Sequence, residues 1–181
     1  EAHESTKDLL AGMKAVTEIK WKHLCELYSY NTPPATVKTV LGCVLLLLHD
    51  IKVGEQDDWK LMRNKLKHLA HDGRKFKLHV LRANPSKWPK KRVAAVKKLV
   101  GTMNMEKARG SSKACAPLYE WTLSMLAFRK LLDKCSEDER TKVLAAVKVA
   151  AHNFFVAQHL EDAEGAVLVV TAGKRLQSHL N

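Results

Sequence analysis

The chain has 181 residues, 46% of them hydrophobic, and a formal net charge of +12. That is enough apolar material for one core of moderate size, but no single run approaches the roughly 20 residues of a membrane span. The longest run, VLGCVLLLLHD, has the length of a buried core helix, and the opening residues EAHESTKDLL are charged and amphipathic rather than signal-like.

The chain begins at Glu1 rather than Met, which reads as a segment excised from a longer protein. Residues 5 to 29 predict one amphipathic helix, because Leu9, Leu10, Met13, Val16, Thr17, Lys20, Leu24 and Leu27 recur at three- and four-residue steps. NTPPATVKTV interrupts it. Pro33-Pro34 forbids simple continuation but suits a new first turn, and Asn31 or Thr32 offers a cap. One helix therefore ends near Tyr30 and the next starts near Pro33, with a fixed kink between.

The second helix runs to about His49 and is apolar almost all round, which predicts a central position. DIKVGEQDD is a loop with Asp57 or Asp58 as the next N-cap. DWKLMRNKLKHLA is a helix, HDG ends it, and RKFKLHVL is a short helix. ANPSKWPKKR turns the chain into a basic helix, PKKRVAAVKKLV, opened by Pro89. GTMN breaks that helix. A Trp-bearing helix then runs from Met105 or Ser111 to about Lys134. After CSEDER, with Ser136 as N-cap, an alanine- and valine-rich helix follows, with breaks expected near Gly165 or Gly173. AVLVVTA has strand propensity but sits in a helical context and is assigned to helix. No repeat is evident, so the reading is all-α: a helical globule between two outer helices that run in opposite directions.

The charge is concentrated. Lys60 to Lys113 holds 17 Lys and Arg against two acids, Asp72 and Glu106, and its +15 leaves −3 for the rest of a chain whose net is +12. A localised basic face implies an acidic partner surface. The four cysteines, Cys25, Cys43, Cys115 and Cys135, form no CxxC pair and read as reduced thiols.

Catalytic patterns are missing. ARGSSK lacks the spacing of a phosphate-binding loop. His68 and His71 lie one helical turn apart among basic residues, and read as solvated or core histidines rather than metal ligands. Asp57 and Asp58 are adjacent and diverge on a helix, so capping explains them better than acid–base work. Trp59, Trp88 and Trp121 read as core anchors. No metal, cofactor or catalytic residue is implied.

In order, HLCELYSYNTPPATVKTVLGCVLLLLHD, DDWKLMR, PKKRVAAVKKLV and SSKACAPLYEWTLSMLAF resemble the microtubule-binding domain at the tip of the dynein heavy chain stalk, over about residues 16 to 135. The most specific features are the double proline followed by xxVK, the DW helix start, and SKAC with a Trp six residues after the Cys. The resemblance implies an all-α bundle of about six helices at the tip of an antiparallel two-helix coiled coil. Residues 1–30 would be the outgoing stalk helix, 31–135 the globular domain and 136–181 the returning helix. The short central tract looks more like the compact cytoplasmic type than an insert-bearing axonemal type.

The resemblance also implies a function: binding of tubulin in microtubules, in the cytoplasm or the axoneme, with affinity set by the register of the stalk helices. This segment would be a binding domain without enzymatic activity. The parent chain would be an AAA+ ATPase driving a minus-end-directed motor, reached through the stalk, with neither nucleic acid nor membrane as a partner. Carried over by position, Lys38, Arg63, Arg109 and Lys113 are microtubule contacts, and Pro33-Pro34 is the hinge. Lys75, Lys90, Lys91 and Arg92 are added on charge alone. The chain departs from the family pattern at Glu120, where a basic residue tends to precede the Trp, and at Gly110, where Arg is expected. CSEDER replaces the proline that often opens the returning helix, and Trp21, Phe154-Phe155, Gly165 and Gly173 make the outer helices irregular as heptads. Two other readings stay open: a basic helical module holding nucleic-acid phosphates through PSKWPKKRVAAVKK, and a non-motor cytoskeletal adaptor with the same fold.

Overall fold

The computed structural model describes residues 2–158. They form α1 (Ala2–Thr17), α2 (Trp21–Ser29), α3 (Ala35–Leu47), α4 (Trp59–Ala70), α5 (Gly73–Leu81), α6 (Lys90–Val100), α7 (Met105–Arg109), α8 (Cys115–Leu132) and α9 (Glu137–Gln158), with 3-10 turns at Glu55–Asp57 and Pro85–Lys87. No strand occurs among the described residues, and the all-α expectation holds. AVLVVTA, Gly165 and Gly173 lie outside them.

The centre is α3. Every residue from Val40 to Leu48 is buried, as a helix apolar on all sides requires. Around it pack α6, α8, α4 and α7. Its start differs from expectation. Neither Asn31 nor Thr32 caps it; Pro34 is the N-cap, extended at φ −56°, ψ 149°, with no side-chain cap. The two prolines hold the chain extended up to Ala35, so Asn31 and Thr32 end up too early in the chain to cap. At the other end the helix closes at Leu47, two residues before the expected His49. His49 takes a left-handed φ of 61°, and the Asp50 N–H bonds back to the Leu45 carbonyl at 2.9 Å, which satisfies a carbonyl the helix leaves open.

The helix expected over residues 5–29 is two helices. The chain leaves helical geometry at Glu18–Lys20, where Ile19 is buried and Lys20 is extended. The cause is a change of partner: α1 packs along α8, whereas α2 packs on α4. The indole Nε1 of Trp21, the first residue of α2, donates to the Ala70 carbonyl at 2.7 Å. α1 comes close to α8 at Gly12. A Cβ there would lie 2.9 Å from Ser124 Oγ and 3.2 Å from Trp121 Cα, so only glycine fits without a shift.

The Trp-bearing helix is also divided. Asn104 caps α7 by accepting from the Lys107 N–H at 2.8 Å. Gly110 and the serines after it interrupt the helix before α8 begins at Cys115, as their low helix propensity favours. Trp121, Phe128, Leu118 and Leu132 of α8 face the core and are fully buried. Arg129 on α8 donates to the carbonyls of Pro85 and Trp88, which fixes the turn into α6. Asp58 caps α4 through the Leu61 N–H at 3.0 Å. Ser136 and Glu139 form a reciprocal capping box at the start of α9. From there α9 lies against α1 and α5.

Candidate functional site

The basic segment supplies α4 to α7 and the approach to α8. Lys75, Lys90, Lys91, Arg109 and Lys113 are exposed, and Lys38 is half-buried at the first turns of α3. The structure brings Lys113 to the end of α2. With Ser111 and Ser112 it forms one wall of a groove of about 540 Å³, and Lys22, His23, Glu26, Ser29 and Tyr30 form the other. The Pro33-Pro34 kink leaves this same end of α2, and Lys38 follows on α3. Head of α8, end of α2 and kink are thus neighbours. Lys75 belongs to a different groove, of about 380 Å³, with Asn64, Lys67, His68, His71 and Asp72. Lys90 and Lys91 open α6.

Two expected contact residues have their guanidinium groups engaged inside the protein. Arg92 Nη1 donates to the carbonyls of Leu46 at 2.7 Å and Ile51 at 2.8 Å, closing the C-terminal end of α3. Arg63 Nη1 donates to Asn31 Oδ1 at 2.9 Å and, more distantly, to the Tyr30 carbonyl at 3.5 Å. The Tyr30 carbonyl is also held by Trp59 Nε1 at 2.9 Å. Sequence reasoning missed Trp59 in this role because it registers there only as a core anchor at a helix start. No local signal reveals the target of either side chain, since Tyr30 lies 29 residues away from Trp59.

A third groove, of about 390 Å³, lies at the opposite end of α3. It is lined by His49, His79, Arg82, Asn84, Lys87 and Lys148 among others, and His79 Nε2 meets Asp50 Oδ2 at 2.7 Å. Burial, then the charge of Arg92, lowers the His49 pKa, while Asp50 acts the other way. On α9, burial and then Arg82 and Lys148 lower the pKa of His152. At both histidines burial is the larger cause, and the neighbouring cations act in the same direction.

Among the described residues no group of three or more His, Cys, Asp or Glu side chains is placed to hold a metal. The four cysteines are free thiols; Cys43 and Cys115 are buried. No described helix is long and apolar enough to cross a membrane. Lys75, Lys90, Lys91, Arg109 and Lys113 thus present exposed cations to solvent.

No family model matches the chain. It is 31% identical over 141 residues to cytoplasmic dynein 2 heavy chain 1 of Caenorhabditis elegans, a match covering 76% of this chain and 3% of that protein. Against the cytoplasmic dynein heavy chain of Dictyostelium discoideum it is 28% identical over 130 residues, 70% of this chain and 3% of the relative. Against that of Neurospora crassa it is 28% identical over 124 residues, 66% of this chain and 3% of the relative. A match over 76% of the chain necessarily includes the basic segment at its centre. The chain spans about 3% of the length of these curated relatives, and it is homologous to that short region of dynein heavy chains.

Proposed function

We propose that this chain, homologous to a short region of dynein heavy chains, is the stalk tip of such a protein and binds microtubules. The observation that carries the reading is the +15 charge of Lys60–Lys113, lying within a stretch related to dynein heavy chains. A basic tip gains association rate and salt-sensitive affinity from an acidic track. ATP hydrolysis by the AAA+ motor belongs elsewhere in the parent protein, and this segment acts by binding in the cytoplasm, on microtubules.

Residues 31–135 form the globular tip, residues 1–30 the outgoing segment and 136–181 the returning one. The contact of α1 with α9 supports pairing of the two flanking segments. Lys38 and Lys113 are the contacts nearest the kink, Arg109 at the end of α7 is a further contact, and Lys75, Lys90 and Lys91 extend the basic surface. Affinity changes when the flanking helices shift register, which requires two packings of near-equal free energy.

The test is co-sedimentation with stabilised microtubules over a salt series, with duplex DNA as competitor. Saturable binding that weakens with salt, resists DNA and falls about tenfold or more in Lys38→Glu is expected. Failure to pellet would overturn the reading, and displacement by DNA would transfer the basic face to a nucleic-acid partner.

A further inference from the structure

Tyr30 ends α2, and in a continuing helix its carbonyl would accept from the N–H four residues on. That residue is Pro34, which has none. The proline pair that makes the kink therefore also strips a donor from the helix before it. The structure supplies substitutes from one face of α4: Trp59 Nε1 at 2.9 Å and Arg63 Nη1 at 3.5 Å, four residues apart and so on neighbouring turns. Arg63 Nη1 also takes Asn31 Oδ1 at 2.9 Å. At the other end of the pair, Trp21 Nε1 holds the carbonyl of Ala70, the last residue of α4, at 2.7 Å. The start of α2 is thus bonded to the end of α4, and the end of α2 to the start of α4. The two helices are antiparallel and clamped at both ends.

α4 in turn touches α3. Met62 Sδ lies 3.7 Å from the position a Cβ on Gly42 would take. A displacement of α2 is therefore delivered to α4 as well as through the two prolines, and both routes end on α3.

We propose that Trp59 and Arg63 are positioning residues that lock α2 to α4 across the kink, and that Arg63 acts on the Lys38 surface through Asn31 and Tyr30 rather than as a microtubule contact. The inference rests on the microtubule reading for its consequence but not for the clamp itself. It assigns Arg63 a role that its charge conceals. A cation that pairs directly with the track adds its full share to the salt dependence of binding; one whose donors are held by an amide oxygen and a carbonyl keeps its charge but makes no such pair, and adds little.

The experiment compares Asn31→Ala, Arg63→Met, their double variant and Arg63→Lys in two assays. In the free chain, thermal unfolding and amide exchange are measured. The two single changes should be non-additive, with the double variant no less stable than the worse single one. Exchange of the Lys38 N–H, bonded to the Pro34 carbonyl at 3.1 Å, should rise in each. On microtubules, Asn31→Ala and Arg63→Met should weaken affinity by a similar factor. The double variant should be no worse, and the slope of log affinity against log salt should stay unchanged. Arg63→Lys should not rescue, because an ammonium on a flexible stem does not reproduce the guanidinium fork.

A neutral Asn31→Ala, additive effects, rescue by lysine or a shallower salt slope in Arg63→Met would each overturn the clamp and make Arg63 a track contact. If the unmodified chain fails to bind microtubules, the functional reading falls on its own. The stability cycle and the exchange at Lys38 then still decide the clamp.

Discussion

Arg92→Met should destabilise the chain while leaving the folded protein's hold on microtubules nearly unchanged. Arg92 lies in a segment rich in exposed lysines, but its Nη1 bonds the carbonyls of Leu46 and Ile51. Ile51 is buried, 3% exposed, so its carbonyl has no water to turn to when the guanidinium is removed. Leu46 keeps the His49 N–H at 3.2 Å and suffers less. A hydrogen bond to a charged group contributes about 1.5–3 kcal/mol, and a stranded buried carbonyl costs about 1–3 kcal/mol. Against this, Arg92 Nε is itself buried without a partner, and methionine relieves that penalty. The net is a loss of about 2–4 kcal/mol, which for a chain of this length lowers the thermal midpoint by about 5–15 °C. Circular dichroism melts measure the loss, and co-sedimentation well below the midpoint measures binding. An unchanged midpoint with weakened microtubule binding would refute the capping role and return Arg92 to the contact set.

Gly12→Val should loosen the α1–α8 contact by about 1–3 kcal/mol through overpacking against Ser124 and Trp121; a denaturation midpoint equal to that of the unmodified chain would show that α1 does not pack there in solution. Gly110→Arg should fold normally, because Gly110 has φ −77° and the nearest atom to a Cβ is the Glu106 carbonyl at 3.4 Å. By adding a cation beside Arg109 it should tighten microtubule binding about two- to fivefold at low salt, and unchanged affinity would place the head of α8 away from the track. His152 has a folded pKa below its unfolded value near 6.5, so the unfolded chain takes the proton first on acidification. Its contribution to stability is present above that value and is lost as pH falls below it. Urea titrations on both sides of that pH should show a shallower loss for His152→Gln, and equal pH dependence in the two proteins would contradict the burial of this imidazole against Arg82 and Lys148.

What could be read from the sequence was whatever local chemistry decides. The all-round apolarity of α3, the apolar periodicity of α4, the Asp58 cap and the Ser136 cap depend on residues within a turn or two of each other. The misses at the α1–α2 break and at the two arginines have long-range causes. α1 and α2 part at Glu18–Lys20 because Trp21 finds Ala70, 49 residues away. Arg63, carried over by position, and Arg92, added on charge, both read as free surface cations, whereas in the fold the Nη1 of each bonds oxygens on other elements. Lys38, Arg109 and Lys113 remain as candidates because no described hydrogen bond or ion pair engages their side chains. Their neighbourhood depends on the groove between α2 and the head of α8, which no spacing rule anticipates.

The most direct measurement is an electron cryo-microscopy reconstruction of microtubules decorated with this chain. Periodic density should appear on the tubulin lattice, with the first turns of α3 at Lys38 and the head of α8 at Lys113 facing the track, and with Arg63 and Arg92 turned into the globule. Bare lattice at saturating protein, or decoration through the His49–Lys148 groove at the opposite end of α3, would contradict microtubule binding by this face.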